Sequence, residues 1–286
     1  MAARSSLVRT ILRIAIFMLP AAAALHALAD SADAALVKRA LAAELQKADT
    51  SQHPLRYRLH KTSTHLSTTK EIIETKDGAV ARLVAINDKP LGPEDEQKEQ
   101  ARLAGLLSDP SRQRHRKQAE DADTARVLKV LRALPDAFLY QFAGSGIGQT
   151  GKVEKFSFKP NPAFDPTDLE TQALTAMSGE LWVDSVTERV TRLEGHLQQD
   201  IDFGWGILGR LNKGGWIVIE QADIGNHQWR IVRFQMVMSG RVFFKTRSFD
   251  TTEEESTFTA MPPGMTYAQA IRVLEGDSAQ PSESNR

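Results

Sequence analysis

The chain has no cysteine at all. That excludes a disulfide framework, a thiolate nucleophile, cysteine-ligated zinc and an acylated lipobox. It also has no surplus of charge, with 36 basic and 36 acidic side chains, so the counterion release that drives nucleic-acid binding has no source. Chemical motifs are equally scarce. The seven histidines form no HExxH, and His60 and His65 fall on opposite faces of a strand because five is odd. No Gly-x-Ser-x-Gly elbow occurs. Gly144-Ser-Gly-Ile-Gly148 looks like a phosphate loop, but a strand pattern follows it instead of a helix N-terminus, so it reads as a flexible turn. Asp200, Asp202 and Asp223 could pair as general acid and base, yet each sits near a strand end, where acids are commonly only solvated. The expectation is a protein that is not an enzyme and holds no metal or cofactor.

Long apolar runs are also few. Arg4, Arg9 and Arg13 precede Ile14–Leu19 and an alanine run to Leu25, and Ala27-Leu28-Ala29 has the small residues a signal peptidase reads. Residues 1–29 are therefore expected to be a signal peptide cut before Asp30, with an uncleaved anchor as the alternative. Pro20 and the shortness of the run argue against a span. The cut removes three arginines and no acid, which lowers the formal charge from zero to −3. Export without cysteine suits a periplasm, and no second apolar segment predicts a transmembrane helix.

What the chain does have is alternation. Residues 32–48 read as an amphipathic helix, and from Leu55 the period becomes two. Asp77-Gly78 between two such runs marks a hairpin. Pro93, followed by Glu94, Asp95 and Glu96, opens a helical insert over 93–133 that breaks at Asp109-Pro110. Arg112, Arg114, Arg116 and Lys117 form a basic knot there, balanced by Glu120, Asp121 and Asp123 as on an ordinary solvated face. Strands resume at 137–143 and 152–159, with a short helix capped by Thr167 or Asp168. Strand-like segments follow at 178–184, 189–201, 214–222, 227–239, 241–250 and 255–260. A last helix is expected at 266–275, and the polar end, 277–286, reads as disordered. About eleven strands with helices inserted among them predict an α+β fold on one large curved antiparallel sheet, residues 30–276 forming a single domain.

The strands share one apolar face. Leu181 and Val183 oppose Glu180 and Asp184. Thr191, Leu193, Leu197, Ile201 and Phe203 oppose Arg192, Glu194 and His196. Phe156 and Phe158, Ile217 and Ile219, then Val232, Phe234, Met236 and Met238, and then Phe243 and Phe249 continue the pattern. Such a face must be covered, by a second sheet, by a filled core, or by helices that leave an apolar cavity. Methionines suit a cavity that adapts to its ligand. The stretch 202–216 carries Trp205, Ile207 and Leu208 through a glycine-rich connection, either folded back on the sheet or forming an apolar rim. Trp182 is the misfit, since its parity sets it beside the acids.

Gly179-Glu-Leu-Trp-Val-Asp184, a turn, and Val190-Thr-Arg-Leu-Glu194 resemble the hairpin of outer-membrane lipoprotein-sorting proteins, the Lol-type periplasmic carriers and their relatives. The resemblance spans roughly 32–262. It implies an unclosed half-barrel with helices plugging the concave side, which binds a lipid or lipoprotein acyl chain or another apolar ligand. The long insert and the 202–216 loop depart from the dedicated carriers and place the chain among broader relatives. On this reading the ligand-binding residues are Phe156, Phe158, Leu181, Val183, Leu193, Leu197, Phe234, Met236 and Phe243, with Trp205, Ile207 and Leu208 at the rim. The alternative is an envelope sensor that docks a protein partner through the insert and the glycine-rich loop.

Overall fold

The computed structural model describes residues 35–46, 54–149, 151–203, 209–242 and 245–276. The expected signal peptide, the 277–286 tail, Trp205, Ile207, Leu208 and Phe243 lie outside them. Thirteen strands form one antiparallel sheet that does not close. They are β1 (Leu55–Ser63), β2 (Ser67–Ile73), β3 (Val80–Ile86), β4 (Lys89–Pro90), β5 (Phe138–Ile147), β6 (Lys152–Pro160), β7 (Met177–Asp184), β8 (Val190–Leu197), β9 (Ile201–Phe203), β10 (Gly209–Leu211), β11 (Trp216–Asp223), β12 (Trp229–Val242) and β13 (Lys245–Ala260). The order is β4-β3-β2-β1-β13-β12-β11-β8-β7-β6-β5, with β10 pairing β12 and β9 off that path. The fold is the expected α+β curved half-barrel.

The helices are α1 (35–46), α2 (Pro93–Ser108), α3 (Pro110–Ala137), the short α4 (Leu169–Gln172) with a 3-10 turn after it, and α5 (Tyr267–Gly276). Pro110 opens α3 at a position where its missing N–H costs nothing, and Asp109 caps the helix by accepting from the Ser111 amide. The helix then runs four residues past the expected end at 133, carrying Pro135 inside its last turn.

Three local readings change. Residues 144–147 belong to β5, and a bulge at Ala143 with Gly144 at φ +128° replaces the expected turn. Ser239-Gly240 does not end a strand either. A Cβ on Gly240 would lie 2.4 Å from the Arg210 carbonyl, so the glycine admits the close approach of β10 while β12 runs on. Polar Thr251–Glu254 stays in β13 because it is central, with Lys61 paired to Glu253 and Arg233 to Glu254 across the neighbouring strands.

Residues opposite one another in antiparallel pairs share a face, so the register can be read sideways. One row runs Phe156, Leu181, Leu193, Ile219, Phe234, Glu253, Lys61. The next runs Phe158, Gly179, Gly195, Ile217, Met236, Thr251, Ser63. At the β6–β8 end the rows are covered. Val37, Ala40 and Leu41 of α1 and Leu134 and Ala137 of α3 pack on Phe138, Tyr140, Phe156, Phe158, Leu181, Val183 and Val190. At the other end the same face carries Leu55, Tyr57 and Ile72, packed together with Leu59 and Ala81. Leu103 and Leu106 of α2 and Ala270, Ile271 and Leu274 of α5 pack instead on Ile73 and Val80, which the register sets on the opposite face with Arg56. Here α2 also finishes the sheet edge. Glu99 accepts the free Leu83 amide of β3 and Arg102 donates to the Ala81 carbonyl, so side chains replace a neighbouring strand.

A bulge between Trp182 and Val183 sets Val190, not the expected Thr191, opposite Val183 and into the core. The Thr191 hydroxyl donates to the Trp182 carbonyl instead. Two rows away the strands approach so closely that a Cβ on Gly179 would sit 1.8 Å from the Glu194 carbonyl oxygen. Gly179→Ala must therefore displace backbone. The expected outcome is a loss of about 2–4 kcal/mol in urea unfolding; Gly144→Ala, with open space at its Cβ but a positive φ, should lose only about 1 kcal/mol.

Candidate functional site

Between the α1–α3 cluster and the cluster of Leu55, Tyr57 and Ile72 the apolar face continues. Ile217, Ile219, Phe234 and Met236 belong to none of the four buried clusters, and each is half-buried. Leu193 borders the floor they make, touching the α1–α3 cluster on its other side. This floor is the candidate site. Two nominated residues, Phe234 and Met236, lie on it, and a third, Leu193, borders it.

The other described nominees do not. Phe156, Phe158, Leu181 and Val183 are between 0% and 4% exposed inside the α1–α3 cluster. Leu197 is buried with Ala176 and Ile201. The first four are packing residues because α1 and the end of α3 fill the space above them, and Leu197 because the 3-10 turn and β9 pack on it. Ile217 and Ile219 sit on the floor and were not nominated. Their alternation was visible, but parity alone cannot tell which stretch of a common face lacks a cover.

From the Ala79 end of the sheet to the α1–α3 cluster runs α3. At 28 residues it is about 42 Å long, held at its start by Gln113 donating to the Asp77 carbonyl and Glu120 accepting from Ala79. Its far end is buried at Leu134 and Ala137, while residues between, such as Arg114, Asp121 and Arg126, are exposed. A groove of about 570 Å³ follows its inner side, from Arg116, Glu120 and Asp123 beside Ala79 to Val127, Leu128 and Leu131. Polar at one end and apolar at the other, the groove matches an amphiphile better than a pure hydrocarbon. Two of the four cations of the basic knot are spent on local pairs, Arg112 with Asp109 and Lys117 with Asp121.

A charged belt closes one margin of the face. Arg189 is 4% exposed, donates to Glu44 of α1 at 2.6 Å, and stands over the Trp229 ring. Its Nε and Nη1 atoms have no hydrogen-bond acceptor among the described residues. Burial raises the Glu44 carboxyl above the usual range, against the pull of Arg189. Nearby, Arg230 donates to Glu74 and lies over the Tyr57 ring. Glu255 is pushed up to about 7, first by burial and then by Glu74 and Glu253, with Arg230 opposing. Burial also raises the Tyr57 hydroxyl.

The three aspartates considered for catalysis have structural partners. Asp202 and Asp200 hold Arg210, Asp200 also accepts the Lys213 amide, and Asp223 accepts the Gly225 amide. Among the described residues no group of three or more histidine or carboxylate side chains could hold a metal. No helix among them is long and apolar enough to cross a membrane.

No family model and no curated protein matches the chain. Two solved structures are similar to it. One is a Vibrio parahaemolyticus domain described, provisionally, as an outer membrane lipoprotein-sorting protein domain, at 10% identity and a TM-score of 0.33, covering 84% of this chain and 99% of that one. The other is a DUF1329 family protein from Desulfovibrio piger ATCC 29098, at 12% identity and a TM-score of 0.29, covering 84% and 96%. Likeness at this level carries no argument about function, which rests on the geometry above.

The Glu255 carboxyl gives the belt a pH signature. Its folded pKa lies above its unfolded value, so the folded state binds the extra proton between the two, and stability falls as pH rises from about 4.5 to about 7. Glu255→Gln, which keeps the group neutral, should match the wild type near pH 4.5 and exceed it by on the order of 1–3 kcal/mol at pH 8. Urea midpoints at the two pH values measure the difference; equal midpoints for both proteins at pH 8 would contradict the assignment.

Proposed function

We propose that this protein is an exported, non-enzymatic binder or carrier of an apolar ligand, of the class of a lipid or lipoprotein acyl chain. The observation that carries the reading is the uncovered floor of Ile217, Ile219, Phe234 and Met236. Leaving such side chains half in water forgoes part of the roughly 1.5–3 kcal/mol that full burial of each contributes. A ligand lying on the floor recovers it, at about 0.8 kcal/mol for each methylene buried. The groove along α3, polar at Arg116, Glu120 and Asp123 and apolar at Val127, Leu128 and Leu131, offers an amphiphile a second surface with a polar end. The same hairpin that resembles the lipoprotein-sorting carriers, β7–β8, forms the wall beside the floor.

The exposed middle of α3 favours a second reading, in which the strap docks a protein partner. Charge substitutions on its outer side, such as Arg114→Glu with Arg126→Glu, separate the two, since they abolish capture of a partner without touching the floor.

Binding of a fluorescent fatty acid, with native mass spectrometry of protein taken from its own cell envelope, tests the carrier reading. Phe234→Asp and Met236→Asp should each weaken saturable binding at least about tenfold. Phe156→Leu, in the filled cluster, should lower stability and leave affinity within about twofold. Absence of saturable binding by the wild type, together with no co-purifying apolar ligand, sinks the reading.

A further inference from the structure

The β12–β13 hairpin outruns the sheet that carries it. Pairing of β1 with β13 stops at Ser63 and Thr251, so residues 245–250 pair with β12 alone. Six residues at about 3.3 Å each make an overhang of about 20 Å. On its other flank, among the described residues, β12 is met there only by three-residue β10, through Gly209, Arg210 and Leu211. All of 245–250 is exposed.

The alternation along this overhang is specific. Lys245, Arg247 and Phe249 share one face, and it is the face of the apolar floor, because Phe249 opposes Met238 and Thr251 opposes Met236. Phe249 is 52% exposed. Neither Lys245 nor Arg247 has an ion pair or hydrogen bond from its side chain to another described residue. Arg210, on the opposite face, differs in being tied to Asp202 and Asp200. The one acid on the overhang, Asp250, also points to that opposite face.

Two cations with no partner among the described residues, alternating with an exposed aromatic ring on a projecting ribbon, match the chemistry of a bilayer surface. Headgroup phosphates take the cations, and the ring enters the boundary with the acyl chains. An acidic protein surface would satisfy the cations but give the half-exposed ring nothing to enter. We propose that the projecting end of the β12–β13 hairpin docks on a membrane bearing anionic lipid headgroups, which brings the open end of the apolar floor to the bilayer surface.

Flotation with vesicles of phosphatidylcholine, with and without about 30% phosphatidylglycerol, tests this. The wild-type protein should partition onto the anionic vesicles and not the neutral ones, and about 0.5 M salt should release it. The double variant Lys245→Glu, Arg247→Glu should lose at least about tenfold in partitioning. Phe249→Ser should lose a few-fold. Fatty-acid binding by the double variant is read in parallel. If it stays at the wild-type level while flotation is lost, the cations serve the membrane. If fatty-acid binding falls with flotation, they serve the ligand's own headgroup, and the docking proposal is overturned. It is overturned equally if the wild type floats no better with anionic than with neutral vesicles, or if the double variant floats like the wild type. Flotation without any fatty-acid binding would leave docking standing and remove the carrier function instead.

Discussion

An unclosed sheet of thirteen strands offers one apolar face wider than its helices can cover, and the rest of the molecule follows from that mismatch. The chain supplies α1 and the end of α3 for one end, while α2 and α5 pack on Ile73 and Val80 of the opposite face. Each pair brings an apolar stripe of its own, so both places become ordinary core. The middle strands receive neither pair, and the stretch of α3 that links the Ala79 end of the sheet to the α1–α3 cluster is polar. An apolar floor beside a polar strap is the direct result. Burial competes with solvation across the same sheet, and the outcome changes from strand to strand.

How far this could be read from the sequence depends on which physical signal each residue carries. Alternation is local, and it placed Leu181, Leu193, Phe234 and Met236 on one face correctly. The Asp77-Gly78 turn was equally plain, since Gly78 takes φ +96° there. Coverage, by contrast, is set by helices packed from distant sequence. Nothing local to Phe156 or Leu181 says that Val37 and Leu41 will bury them, so the nominated lining mixed core with floor. Bulges were also invisible. The one at Val183 exchanged Thr191 for Val190 in the core, a change that period-two reasoning cannot anticipate. Loop 202–216 was read as one connection, yet its later part supplies β10, which pairs with β12.

The misfit Trp182 is resolved by its neighbours on the convex side. Lys155 and Arg192 oppose it across the two adjacent strands, with the Lys155 ammonium 4.0 Å from the ring and Arg192 at 5.4 Å. Its indole N–H donates to Glu180 at 3.1 Å. Cations on both flanks cover the ring faces and keep their charge in water, so a large aromatic on an outer surface needs no helix above it. The buried Asp184 likewise is not a solvated acid. It accepts the Val186 and Thr187 amides and fixes the turn that returns the chain into β8.

The pairing of β1 with β13 has a consequence in time. Leu55 meets Ala260, residues separated by roughly two hundred positions, in the middle of the sheet order and not at its margin. Most other strand pairs are hairpins that can zip as the chain emerges. The two sub-sheets, β1–β4 and β5–β12, can therefore fold separately, but each presents a raw edge until β13 arrives between them. The last strand made is the seam that joins them. During synthesis the molecule spends its longest unprotected interval as two open half-sheets, which is when it is most exposed to mispairing with other chains.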